Sequence, residues 1–360
     1  MDMRAIAEMD SVLELEYTKR YFEPGEWRAR VAYFDGILEV IEAGEYFLME
    51  GRPEVACVLE RVEIEDGGDS VVVLSGATLA GVLRRRVVVP EGSDNFFRVV
   101  AQSSEDIMHS FVTSQAIAPA DARRAIGGLE VVPSQGRGAR ASWRATFWDN
   151  LADTLTEIGE FAGLGYDVRL CLQRKKLVFE VLEGRDLSSA QKERPMVVFG
   201  AALDNIGRVI YDDNSDSYRN AIYAVTGDVE AGEFVAHLAR SEGAMGMGLR
   251  EAFYNATSHA TELSDLSVVA RMRLEDRARM PVISAQVLDT DSFRYMQDWG
   301  LGDIVTVVHS RARVVIHQRI TEVVRVVSPS GRRMEVKFGT DHADPVRILQ
   351  RIRNKSLINA

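Results

Sequence analysis

Cysteine is nearly missing from this 360-residue chain, which holds only Cys57 and Cys171. Each stands in an alternating apolar run, EVACVLERV and YDVRLCLQ, which favours buried free thiols over a bridge. No CxxC motif is present. Prolines number only nine. No apolar stretch approaches the roughly 20 residues of a spanning helix, so no stable membrane span is expected. The opening, MDMRAIAEMDSVLELE, is acidic and lacks the basic stretch and apolar core of a secretory signal, so none is expected. Nucleophile elbows, HExxH and kinase signatures are missing too, and nothing assembles a nucleophile, a base and an oxyanion donor. Composition is otherwise ordinary, with 46% hydrophobic and 27% charged residues. The length allows roughly two to four compact units with a buried core.

Charge is present but uneven. Residues 1–75 hold 18 acidic and 7 basic side chains, which accounts for the whole net charge of −11. From His309 to Ala360 the balance reverses, with 11 Lys/Arg against 4 Asp/Glu. Opposite signs at the two ends imply complementary surfaces, within the chain or between copies, or else two separately solvated faces. Without a concentrated basic stripe, tight nucleic-acid binding is not expected.

Short alternating runs dominate the first 75 residues: VLELEYTKRYF, WRARVAY, ILEVIEA, EYFLMEG, PEVACVLERVEIE and DSVVVLSG, all read as strands between turn clusters. SGATLAGVLRRR reads as a short helix with Ser75 as its cap and arginines in its last turn. DNFFRVVAQSSEDIMHSFVTSQ reads as helix, LEVVPS as strand and SQGRGAR as a mobile basic loop. WDNLADTLTEIGEFAGLG is an amphipathic helix with Leu151, Leu155, Ile158 and Phe161 on one face and Gly163 or Gly165 as its stop. A hairpin follows in YDVRLCLQRKKLVFEVLEG. Strands return in MVVFG, RVIYDD and YRNAIYAVTG, then a helix in LSDLSVVARMRLEDRARM, then strands after Pro281.

Residues 44–76 resemble residues 302–339 in pattern. Aligning Gly44 with Gly302 puts Arg61 on Arg319, and each copy closes on a strand ending in glycine, VVVLSG and MEVKFG. The fold class expected is α+β, predominantly β: two related β-barrel-like domains with smaller α+β domains inserted between them. The divisions are 1–93 for the first barrel-like domain and 94–200 for an α+β domain. Residues 201–227 with 281–340 make the second barrel-like domain, 228–280 an inserted α/β segment and 341–360 a basic tail.

Candidate chemistry is thin. His309 and His317 lie eight apart in GDIVTVVHSRARVVIHQRITEVVRV, but no third ligand converges on them, so exposed strand positions are expected. DDNSDSYRN (212–220) imitates a calcium loop, yet Ser217 replaces the turn glycine and Tyr223 the bidentate glutamate. GAMGMG (243–248) has phosphate-loop glycine density without the preceding strand or a following Lys-Ser/Thr. Glu157 and Glu160 fall on the polar face of their helix. Neither catalytic, metal nor cofactor-binding residues are assigned.

The order of these segments resembles the siphovirus ReqiPepy-type tail protein family, related to the baseplate hubs of long-tailed phages. The segments that carry it are YTKRYFEPGEWRARV, VLERVEIEDGGDSVVVLSGATLAGVLRRRVV, DNLADTLTEIGEFAGLGYDVRLCLQRKKLVFEVLEGRDL, DDNSDSYRNAIYAVTG and the late GDIVTVVHSRARVVIHQRITEV with MEVKFG. Residues 228–262 are the least family-like. The resemblance implies a structural virion protein at the tail tip and no enzyme: a homotrimeric hub whose paired β-domains make a pseudo-sixfold ring lining the DNA exit channel. Implied partners are the distal tail protein ring, tail tube and tape-measure protein, tip or receptor-binding proteins, and genomic DNA that passes without specific binding. A tail-associated cell-wall hydrolase or a carbohydrate-binding tip module is the alternative.

Overall fold

The computed structural model describes residues 5–9, 12–44, 46–52, 55–67, 70–90, 97–145, 148–213, 215, 218–228, 232–241, 248–256, 263–277, 282–288 and 293–339. Apolar alternation sets most of its elements, and the chain is predominantly β. In order they are β1 (Val12–Arg20), β2 (Glu26–Ala32), α1 (Ile37–Ala43), β3 (Phe47–Leu48), β4 (Ala56–Glu65), β5 (Val71–Thr78), β6 (Phe97–Ser103) and α2 (Ser104–Val112). Then come β7 (Leu129–Val131), β8 (Arg140–Ala145), α3 (Leu151–Ala162), β9 (Gly165–Cys171), β10 (Lys176–Leu182), β11 (Val198–Gly200) and β12 (Ile206–Asp212). The last are β13 (Ala221–Asp228), β14 (Glu233–Arg240), β15 (Glu251–Asn255), α4 (Leu263–Asp276), β16 (Val282–Val287), β17 (Ile304–His309), β18 (Val314–Ser328) and β19 (Gly331–Phe338).

The chain divides into two units, Met1–Val209 with Ser284–Lys337, and Ile210–Ile283 with Phe338–Ala360. In the first, the strand order β19-β18-β1-β2-β5-β4-β3 forms the body of an 11-stranded sheet that continues past β19 to β16 and β12, with β17 joining β18 to β11. Among the described residues this path is open. It does not by itself delimit two barrels, because β1 pairs antiparallel with β18, Leu15 opposite Val327 and Arg20 opposite Glu322. At Glu50 that pairing also meets a small part of the charge split, while the Arg20–Glu322 pair runs the opposite way, base in the start and acid in the end. Arg20 binds Glu322 at 2.8 Å, and Arg325 and Arg332 reach Glu50 at 3.5 and 3.3 Å. The acidic start and the basic end thus meet within one chain.

A core of Leu15, Tyr17, Trp27, Val31, Ile37, Ile41, Cys57, Val72 and Leu74 fills the sheet's inner face. Trp27 stacks on Phe47 at 5.5 Å and donates from Nε1 to the Val58 carbonyl at 2.9 Å, so its one polar atom is satisfied inside. Two sequence expectations fail here. ILEVIEA is α1, not a strand, since Ile37 and Ile41 are buried together at helical i,i+4 spacing. Ser75 lies inside β5 and caps nothing; a 3₁₀ turn, Leu79–Arg85, follows Thr78.

The α+β elements of the first unit comprise the pair β6-β8, the sheet β7-β10-β9, and α2 with α3. The expected helix over residues 94–115 is instead, from Phe97 on, β6 followed by α2, and Ser103 marks the change: its Oγ accepts from the Asp106 N–H at 3.1 Å. α3 is as read. Asn150 Oδ1 accepts from Ala152 N–H at 2.9 Å, and Gly163 at φ 68° ends the helix.

In the second unit β13 sits between antiparallel β14 and parallel β15, and α4 covers one face. Arg273 of α4 donates to the Tyr254 hydroxyl at 2.8 Å and lies 4.6 Å from that ring's centre.

Candidate functional site

The most tightly determined polar cluster in the first unit is built around Tyr21, just past the end of β1. Its ring is fully buried, and its hydroxyl donates to the Leu182 carbonyl at 2.9 Å and accepts from Gly184 N–H at 3.1 Å. Gly302 presses on that ring. At φ 92° it has a conformation few side chains adopt, and a Cβ there would come 2.2 Å from Tyr21 Cε2. Gly184 is equally constrained, because a Cβ would meet the Gly302 carbonyl at 1.7 Å. Arg319 donates to that carbonyl at 2.6 Å and lies 5.1 Å from the Tyr21 ring centre. Asp303, nearly buried, accepts from Arg185 N–H at 2.8 Å, Arg185 Nη2 at 2.6 Å and Gly300 N–H at 2.8 Å.

This cluster explains the Gly-Asp opening and Arg319, and it overturns the Gly44–Gly302 alignment. Gly44 has an ordinary φ of −86° at the end of α1, and Arg61 is exposed and pairs with Glu63 at 3.0 Å. The aligned residues do different jobs. What the two regions share is a meander, β3-β4-β5 and β17-β18-β19.

A second brace secures the SQGRGAR loop. Buried Glu105 accepts from Gln135 N–H and Arg137 N–H at 3.0 and 2.9 Å and binds Arg137 Nη2 at 2.8 Å. Burial pushes the Glu105 carboxyl up, but these bonds outweigh it and hold it below the usual carboxylate range. The expected mobile loop is therefore pinned, which its Ser/Gly/Arg composition gave no sign of. Between the two braces lies a cleft of about 670 Å³, lined by Gln135, Arg137, Arg169, Glu180, Arg185 and Asp303 among others. Two of its carboxylates are neutralised, Glu180 by Arg169 at 3.0 Å and Asp303 by Arg185, and the third, Glu183, is exposed to solvent. Lys19 on β1 likewise binds Asp167 on β9 at 2.7 Å. Such pairing suits bracing of elements more than proton transfer, which calls for one carboxyl pushed toward neutrality.

The two histidines do not converge on a ligand. His309 Nδ1 accepts from Ala312 N–H at 3.0 Å in the β17–β18 turn, and His317 Nδ1 meets Thr306 Oγ1 at 2.9 Å across the hairpin. Among the described residues no group of three His, Cys, Asp or Glu is arranged to hold a metal. Cys57 is buried, and burial pushes its thiol up to about 12. Cys171 is not buried as expected: it is half-exposed at the end of β9. Glu157 and Glu160 are half-buried on α3 and do not line the cleft between the braces. Asn214, Asp216 and Ser217 of the calcium-like loop, GAMGMG up to Met247 and the tail from Thr340 lie outside the described residues.

In the second unit the sheet face opposite α4 carries aromatic side chains. Tyr223 stands opposite Leu238 and Phe253, and Phe234 opposite Gly227, all on that face; Tyr223, Phe234 and Phe253 are 38%, 50% and 61% exposed.

Solved structures share the fold at low identity. The tail protein from Neisseria meningitidis MC58 is 13% identical, with 92% of each chain covered and a TM-score of 0.61. The 43 kDa tail protein of prophage MuSo2 from Shewanella oneidensis is 11% identical over 91% of this chain and 94% of that one, at 0.62. Prophage tail protein gp18 from Listeria monocytogenes EGD-e is 12% identical over 96% and 93%, at 0.52. No curated protein matches the chain. The family model described as siphovirus ReqiPepy6 Gp37-like protein matches residues 1–340, and the chain belongs to that phage tail protein family.

Proposed function

We propose that this tail protein is the hub of the tail tip or baseplate, a non-enzymatic virion component that assembles as a homotrimeric ring, joins the distal tail to the tip and lines the DNA exit channel. In this reading residues 1–93 and residues 201–227 with 281–340 act as two related barrel-like domains, so that three chains present six similar β-units to a sixfold tail tube. Residues 94–200 brace them, and 228–280 and 341–360 are peripheral. Its partners are the distal tail ring, tail tube and tape-measure protein on one side and tip or receptor-binding proteins on the other. DNA passes without specific binding, and no cofactor is needed.

The observation that carries the reading is membership of a tail protein family over residues 1–340. The arrangement of charges agrees with it, because the paired carboxylates of the first-unit cleft stiffen a scaffold. Gold-labelled antibody against the chain should decorate one end of intact tails in electron micrographs. Label spread along the tube, or none on tails, would rule the hub out.

One observation favours a second reading, a carbohydrate-binding tip module: the exposed Tyr223, Phe234 and Phe253 on one sheet face, since planar aromatic faces stack on apolar ligand surfaces. Binding to cell-wall polysaccharide that F253A weakens would support it. Equal retention of wild type and variant would remove it.

A further inference from the structure

Among the strand edges of the first unit that have no described strand partner, two differ in the charge around them. β3 covers β4 only at Ala56 and Cys57, so beyond these the outer edge of β4 is open. From Glu60 to Glu65 every residue of β4 is exposed, including Val62 at 41% and Ile64 at 44%. Residues 60–66 hold four acidic side chains, Glu60, Glu63, Glu65 and Asp66, against Arg61 alone.

The second edge belongs to β18. Ile320 exchanges backbone hydrogen bonds with the Gly302–Asp303 side, whereas the Thr321 carbonyl accepts from Tyr21 N–H at 2.9 Å, so β17 and β1 lie on opposite edges of β18. β1 pairs only with Glu322–Val327. The edge of Val314–Arg319 on the β1 side is therefore open among the described residues. Val315 is 61% exposed and His317 is exposed as well. Residues 309–319 hold three arginines and no acidic side chain, and Arg311 and Arg313 are exposed.

We propose that the acidic outer edge of β4 in one copy pairs with the open half of β18 in the next, beside the basic β17–β18 turn that carries Arg311 and Arg313, Val62 and Ile64 packing near Val315. The inference rests on the hub reading and names the surface by which its copies join. Open strand edges hold unpaired backbone donors and acceptors and pair readily with another strand. Charge then selects the partner. Two β4 edges would set acid against acid, as two β18 edges would set arginine against arginine, whereas β4 on β18 attracts. The two edges are different surfaces of one chain, so the contact is head-to-tail and closes into a ring when the rotation permits.

The test uses the full chain in a C171S background, with V62C on one preparation and V315C on another. Mixed and gently oxidised, they should yield a disulfide-linked product of one V62C and one V315C chain, well above either alone. Reversing charge with E63K/E65K should weaken self-association about tenfold at low salt while lowering the melting temperature only slightly, since the Arg61–Glu63 and Arg30–Glu65 pairs it breaks are exposed, and adding R311E/R313E to the same chain should restore self-association. Rings that persist in E63K/E65K and give no mixed disulfide would overturn the edge while leaving the hub intact. A chain that neither self-associates nor enters tails would overturn both.

Discussion

Tyr21 and its glycines show how the cluster is held by fit more than by strength. Substituting G302A forces a Cβ into the Tyr21 ring at a left-handed φ, and we expect a loss of about 3 kcal/mol in urea unfolding. Y21F keeps the ring but leaves the Gly184 N–H without its acceptor, for a cost of about 1–2 kcal/mol in the same measurement. His109 supplies a pH handle. It is buried beside Phe179, and burial depresses its imidazole below the usual 6.5 while Glu105 and Asp106 pull the other way. The unfolded chain therefore binds this proton first. Stability should be full above about pH 7 and fall as pH drops below 6.5, by up to about 1.4 kcal/mol per pH unit until the folded-state value is passed. H109Q should flatten that part of a stability–pH curve, leaving the steeper acid limb that Glu105 and Asp106 add as they protonate. Gly302 and Arg319 stood out in the sequence, but their partners Tyr21 and Gly184 did not, because no local pattern links residues so far apart along the chain.

Among the elements, those whose burial follows one period were legible. α3 shows Leu151, Leu155, Ile158 and Phe161 buried on one stripe between an asparagine cap and a left-handed glycine, all of it local information. N150A should remove the cap and cost about 1 kcal/mol, read from thermal or urea melts. Short runs misled. ILEVIEA suits either period, and only its packing under the sheet selects the helix. FRVV carries no period that separates it from the helix after it, and the boundary between β6 and α2 rests on the Ser103 cap. The order of the SQGRGAR loop has a tertiary cause: its anchor, Glu105, lies on a helix some 30 residues away in sequence. E105Q should leave Arg137 half-buried without its anion and cost about 2–3 kcal/mol, with faster proteolysis within residues 134–140 as the diagnostic readout. E105D, too short to reach all three donors, should fall between.

At the scale of the molecule, the predominance of β-structure was legible, since alternation and turn residues recur along the chain. The candidate site was legible only as an absence of catalytic patterns. The charge asymmetry was visible, but not its resolution, because composition cannot tell that β1 and β18 are neighbours. A small part of that asymmetry is met inside the chain at Glu50. Further exposed charge lies on the open edge of β4 and in the β17–β18 turn. An assembly joined there should dissociate as salt rises, since exposed charges are screened over about 8 Å at physiological ionic strength.

The central claim is that this tail protein acts as a closed ring of like copies. Native mass spectrometry of the purified full chain, with increasing protein concentration at low salt, tests it most directly. The account predicts a homotrimer that grows at the expense of monomer and is lost in E63K/E65K. A chain that stays monomeric throughout the series, or that grows into open-ended multiples without a preferred size, would contradict it.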